Sequence, residues 1–244
     1  MRKFIGLTCA ILSGLGLLLA LVRSLPFDGA NAPGIPLLSQ HVREKHNDYV
    51  LWQLGRKFQH GEGVPRDDYQ AFEYYQQFAD AYAEASPAAP VFRNAADAFV
   101  QLAHYYQIGI PGSPVVANPA NARRLLTHAA VYFGDPEAQY QLARLLLEGK
   151  NFDNDPRRAV RWLVLAAQKD HQEAQALLGR ILFNGEVGHR QPAAGLMWLA
   201  IACDGPGCNL PWIAEAYQRA LKEANDNERA QAGTLLVRWV NGGR

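Results

Sequence analysis

Two hydrophobic patterns follow one another along the chain. The first is a run of 19 residues without a charge, Phe4 to Val22, ending in Leu-Leu-Leu-Ala-Leu-Val. As a helix this run is about 28 Å long at about 1.5 Å per residue, enough to cross a bilayer. Arg2, Lys3 and the α-amino group outweigh Arg23, which predicts an N-terminus in the cytoplasm and the rest of the chain on the far side. The competing reading is a cleaved signal peptide, but the run is longer than an ordinary signal core and lacks a clean small-x-small site. Ser24 to Gln40 then carries Pro26, Pro33, Pro36, Gly29 and Gly34, a composition that cannot hold a helix and predicts a spacer.

The second pattern recurs. Leu, a small residue, a basic or titratable residue and then a Gly seven positions after the Leu appear four times. The copies are Leu54-Gly55-Arg56 with Gly61, Leu102-Ala103-His104 with Gly109, Leu142-Ala143-Arg144 with Gly149, and Leu178-Gly179-Arg180 with Gly185. Past each glycine a small residue (Ala71, Ala122, Ala159, Gly195) is followed three positions on by Tyr74, Leu125, Trp162 or Trp198. This predicts a helix closed by glycine, a turn, and a second helix. Asn118-Pro119, Asp135-Pro136 and Asp155-Pro156 place a capping side chain before a proline at the first helical position. No such pair of helices can bury its apolar face alone, so the units must stack. A closing helical hairpin, Pro211 to Ala224 and Asn227 to Val240, predicts a cap for the last unit.

Composition adds little beyond this. The 244 residues carry 24 Lys+Arg against 23 Asp+Glu, with 49% hydrophobic residues. That excludes wholesale disorder and gives no reason to expect nucleic acid as a partner. Three cysteines cannot make a structural four-cysteine zinc site or a disulfide scaffold. Cys203 and Cys208 bracket Asp-Gly-Pro-Gly, a tight turn that predicts a disulfide between them, with two free thiols as the alternative.

Catalytic signatures are lacking. The seven histidines form no His-Glu-x-x-His pair, and there is no nucleophile elbow, phosphate loop or dinucleotide fingerprint. Glu62, Asp67, Asp68, Glu148, Asp153 and Asp155 are numerous enough for a two-carboxylate hydrolase, but their repeat positions predict caps and turns. The expectation is a protein without cofactor or metal that is not an enzyme, a repeat-based hydrolase being the enzymatic alternative. The recurrent Arg56, His104, Arg144 and Arg180 are the candidate binding residues. Stacked in register they form a ladder suited to an acidic partner segment or an anionic polysaccharide; the competing expectation is that each pairs locally with acidic neighbours on a solvated face.

The string Leu54-Gly55, His60-Gly61-Glu62-Gly63-Val64, Asp67, Ala71 and Tyr74-Tyr75 resembles a Sel-one-like repeat, a tetratricopeptide relative. So does Leu142 to Ala174, with Glu148-Gly149, Asp155, Ala159, Trp162-Leu163 and Ala166-Ala167 in place. The second copy is looser between Gly109 and Pro119, and an insertion at Tyr82 to Asn94 lengthens the first. The resemblance implies an all-α, right-handed α/α superhelical solenoid of about four helix-turn-helix repeats over 48–203. An anchor or signal (1–25) and a Pro/Gly-rich linker (26–47) precede it, and capping helices (204–244) follow. It also implies a protein-interaction scaffold with a protein partner. The exported four-repeat plan is similar to periplasmic negative regulators of exopolysaccharide synthesis in alphaproteobacteria, which implies a sensor kinase or glycan as the partner. The corresponding location is the inner membrane, single-pass with the C-terminal part in the periplasm, or the periplasm itself after cleavage.

Overall fold

The computed structural model describes residues 40–149, 154–204, 208 and 210–242, with side chains from Tyr49 onward. The Phe4–Val22 run and the proline-rich spacer lie outside the described residues, and among those described no helix is long and apolar enough to cross a membrane. The repeats and the closing hairpin all belong to one unit, Lys45–Arg244.

Among the described residues ten α-helices run in order: α1 (Gln40–His60), α2 (Asp68–Tyr82), α3 (Phe92–Ile108), α4 (Pro119–His128), α5 (Pro136–Glu148), α6 (Pro156–Ala167), α7 (Gln172–Asn184), α8 (Pro192–Ala202), α9 (Pro211–Glu223) and α10 (Asp226–Val240). No strand occurs among these residues. The helix α1 begins at Gln40, inside the stretch expected to be linker, because no proline or glycine stands between Ile35-Pro36 and Gly55 to stop it.

Each helix pair closes in the same way. The backbone N–H of the residue capping the second helix reaches the carbonyl four residues after the repeat leucine: Asp67 to Phe58 at 2.9 Å, Asn118 to Tyr106 at 2.7 Å, Asp155 to Leu146 at 3.2 Å and Gln191 to Leu182 at 2.8 Å. The repeat glycines Gly61, Gly109, Gly149 and Gly185 all sit at positive φ, between 63° and 74°, where a side chain would be strained. The side chains of Asp67, Asn118, Asp135 and Asp155 accept backbone N–H groups at the starts of their helices, the role the sequence predicts for them. The longer second turn is itself packed, with Ile110 and Val115 buried and bonded to each other through Ile110 N–H and the Val115 carbonyl.

Packing follows the small residues. A Cβ on Gly195 would stand 2.5 Å from the Phe183 backbone nitrogen, and one on Gly179 would stand 2.8 Å from the Gly195 carbonyl, so α7 and α8 touch backbone to backbone. In the first pair, a Cβ on Gly55 would meet the Tyr75 ring at 2.9 Å. Trp162 packs against both of the larger core clusters, bridging the early and late repeats. The terminal pair covers the last repeat through Leu235, Leu236 and Trp239, the Trp239 indole lying edge-on to Trp198 at 4.8 Å.

Two departures from a regular stack have local causes. Ala129–Phe133 forms one widened π-helical turn at the end of α4. Ala138 stands eight positions after Ala130 here, against seven from the equivalent Ala167 to Ala174, so the wide turn absorbs one extra residue. The register of the next helix is kept: Gln139 and Gln175, both buried, donate to the equivalent carbonyls of Ala130 and Ala167 at 3.1 and 3.0 Å. The insertion after α2 is pinned by the second pair, with the His128 ring nitrogen 2.8 Å from the Ala83 carbonyl and the Tyr132 hydroxyl donating to that of Ala85. Finally, Cys203 at the end of α8 is joined to Cys208 by a disulfide, the Cα atoms 4.4 Å apart.

Candidate functional site

The first helices of successive pairs, α1, α3, α5 and α7, lie side by side and are tied together by polar side chains. Five residues after the repeat leucine stands a glutamine in the first two copies, and one residue before it a glutamine in the second and third. The two positions meet across each junction: Gln59 donates to Gln101 at 2.7 Å, and Gln107 to Gln141 at 3.4 Å. Each acceptor amide also donates to a carboxylate one turn earlier on its own helix, Gln101 to Asp97 at 3.0 Å and Gln141 to Glu137 at 2.7 Å.

A ring N–H from a neighbouring unit completes each carboxylate. Trp52 donates to Asp97 at 2.6 Å. His171 Nε2 lies 2.8 Å from Glu137; its Nδ1 accepts the Ala174 N–H and so caps α7, which assigns the Nε2–H tautomer. The Tyr75 hydroxyl donates to the Gln59 carbonyl oxygen from below, and burial pushes that hydroxyl's pKa up.

This arrangement determines the electrostatics of the acids. Burial works to raise the Glu137 pKa, but the hydrogen bonds from His171 and Gln141 outweigh it and hold the carboxyl below its ordinary value. Asp135 goes the other way, raised by burial and only partly offset by the Ala138 N–H. A glycosidase acid needs a raised carboxyl facing open space. Asp97 and Glu137 instead have their oxygens engaged by N–H donors. Among the described residues no three His, Cys, Asp or Glu side chains converge to hold a metal ion.

The four candidate binding residues occupy equivalent exposed positions on these same first helices. Arg56 lies with its guanidinium 5.2 Å from the Trp52 ring centroid. His104 is exposed beside Tyr105, their rings 6.1 Å apart. Arg144 pairs with Glu148 at 3.3 Å and lies over the Tyr140 ring at 5.9 Å. Arg180 pairs with Glu186, also at 3.3 Å. Both ion pairs are roughly half exposed, worth at most about 1 kcal/mol each. Their basic groups are held locally and remain reachable. The amide and carboxylate row beneath them is the part that sequence reasoning missed; the signal was present as Asp97/Gln101 and Glu137/Gln141 at the same offsets from their leucines.

The sequence matches the Sel1 repeat model over residues 49–82, 96–130, 136–171 and 172–206, one stretch for each helix pair. Over 133 residues it is 34% identical to an exopolysaccharide production negative regulator of Rhizobium leguminosarum bv. viciae, covering 54% of this chain and 49% of that protein. Over 132 residues it is 31% identical to the protein of the same description from Rhizobium meliloti (strain 1021), covering 54% and 48%. The chain therefore spans about half the length of the curated relatives it matches. The crystal structure of a Sel1 repeat protein from Oxalobacter formigenes aligns over 80% of this chain and 75% of that one, with a TM-score of 0.59 at 21% identity, a likeness of fold. The glycine-closed turns and capped second helices fall within the four matched stretches, and the chain belongs to the Sel1 repeat family.

Proposed function

We propose that this chain is a non-catalytic regulator of exopolysaccharide production that works by holding a protein partner against the face made by α1, α3, α5 and α7. The observation that carries the reading is the row of paired amides and carboxylates across three repeats, with Arg56, His104, Arg144 and Arg180 exposed along it. A row of this kind presents fixed donors and acceptors to an extended or helical segment at little entropic cost, because the side chains are already ordered. Engaged carboxylates and a Glu137 held ionised favour recognition over acid–base chemistry. The polysaccharide part of the reading draws on the likeness to the two rhizobial regulators, which reaches only about half their length. In this reading the Phe4–Val22 run anchors or exports the protein, and the repeats work in the periplasm on the outer domain of an envelope sensor kinase.

The test is genetic and biochemical together. Deleting the chain is expected to raise exopolysaccharide output, and an Arg56→Glu, Arg144→Glu, Arg180→Glu triple variant made to the wild-type level is expected to behave as the deletion does. Unchanged output on deletion overturns the regulatory reading. Full complementation by the triple variant overturns the choice of face.

A further inference from the structure

The second helices of the first three units, α2, α4 and α6, divide charge by helix. From Glu62 to Glu84, the turn before α2, α2 itself and the residues just after it carry six carboxylates against Arg66 alone, a formal charge of −5. Residues 119–133 and α6 carry five arginines and no carboxylate, a formal charge of +5, in a chain whose net charge is only +1. The change of sign falls at equivalent places: two residues after the small residues Ala71, Ala122 and Ala159 stand Glu73, Arg124 and Arg161. The fourth equivalent, Met197, is buried in the cluster that the terminal pair covers.

The three helices lie side by side. Asp80 of α2 and Arg124 of α4 line one groove, and Thr127 of α4 and Arg158 of α6 line the next. Glu62, Asp80, Glu84, Arg124, Arg157 and Arg161 are all exposed. Among the described residues none of these six has an ion-pair partner. Arg157 stands in the first turn of α6, where the helix dipole favours acids, so the helix gains nothing from it.

Between the charged flanks the surface is apolar. The widened turn that ends α4 leaves Val131 65% and Tyr132 44% exposed, and Leu165, one turn after Arg161, is 42% exposed. Open apolar side chains rimmed by charge are the pattern of a protein interface.

The order acid, apolar, base across the three helices is its own complement. Turning a second copy through a half-turn about an axis along α4 sets α2 of each copy against α6 of the other and places Val131 near its counterpart. Arg124 lies on the α2 side of α4, beside Asp80, and so away from that axis. An anionic polymer or an anionic bilayer laid over the same face would be attracted by α6 and repelled by α2, whereas a second copy matches both. Three helices about 20 Å long and about 10 Å across present roughly 600 Å². Two copies then bury about 1,200 Å², the lower end of specific interfaces.

We propose that this chain forms a two-fold dimer through α2, α4 and α6, leaving the face made by α1, α3, α5 and α7 for another partner. The proposal stands apart from the regulatory reading, which the deletion tests on its own. The experiment is sedimentation equilibrium of the full-length protein in density-matched detergent, from about 1 to 100 μM. A monomer–dimer equilibrium with a micromolar dissociation constant is expected, weakening as salt rises. Arg157→Glu with Arg161→Glu is expected to weaken the homodimer at least about tenfold, and so, separately, is Glu62→Arg with Asp80→Arg and Glu84→Arg. Mixed in equal amounts, these two variants present opposite charges at both contacts and are expected to associate with each other as tightly as wild type does with itself.

A monomer throughout overturns the proposal, as does association that neither variant alters, or two variants that keep the wild-type helical circular dichroism and do not pair on mixing. A monomer that binds phosphatidylglycerol vesicles, and loses that binding with Arg157→Glu and Arg161→Glu, replaces it with a membrane-facing role.

Discussion

Glu137 shows how much one carboxylate is asked to do: it takes an N–H from its own helix and another from the ring that caps the next first helix. Its folded pKa is depressed, so its contribution to stability is fully present above the ordinary value of 4.5 and is lost as pH falls through the folded value. The side chain is 45% exposed, so screening limits that contribution to about 1 kcal/mol. Glu137→Gln is expected to lower the melting temperature at pH 7 and to flatten its fall below about pH 4.5 relative to wild type. Asp135, whose pKa is raised, acts with the opposite sign, and the difference between the two melting curves isolates Glu137. Gly195 presents the steric counterpart. Gly195→Ala would place a methyl group 2.5 Å from a backbone nitrogen that cannot move aside, and the expected loss is about 1–3 kcal/mol by chemical denaturation.

For the elements, the sequence was most legible where a backbone requirement selects a residue type. The glycines at positive φ and the Asx-Pro starts were readable because few residues satisfy those geometries. Asp155→Ala removes the acceptor for the Arg158 N–H at the start of α6 and is expected to cost about 1 kcal/mol, seen as a lower melting temperature. The π-helical turn at Ala129–Phe133 was not legible, because an extra residue leaves no compositional mark and shows only against the neighbouring repeat. His171 as a helix cap was hidden for a related reason: its role depends on Glu137, 34 residues away. The arginine ladder was read from spacing alone, and its four members are exposed on the first helices. Spacing could not show that Glu148 and Glu186 engage two of them.

At the scale of the whole molecule, the array is held by contacts between successive pairs, and its last repeat depends on α9 and α10 for cover. The Cys203–Cys208 bridge ties the last repeat to that cover. A bridge of this kind persists in an oxidising compartment, which accords with the proposed export. Alkylation of the protein taken directly from cells and denatured is expected to leave Cys203 and Cys208 unlabelled until a reductant is added, as read by mass spectrometry of the peptides that contain them. Labelling of both without reductant would place the repeats in a reducing environment.

The glutamine contacts between neighbouring pairs bear on how such an array can be rebuilt. Gln59 with Gln101 and Gln107 with Gln141 mark the first two seams, whereas the third seam has Leu147 and Leu177 at the corresponding places. The modules are therefore not interchangeable bricks. Transplanting the fourth in place of the second would set a leucine against an amide at one boundary and strand a polar group there. Growth or shortening of the array by whole modules should be resisted wherever a seam loses its polar partner, the third included, where His171 meets Glu137, so the order of the repeats is written into their edges.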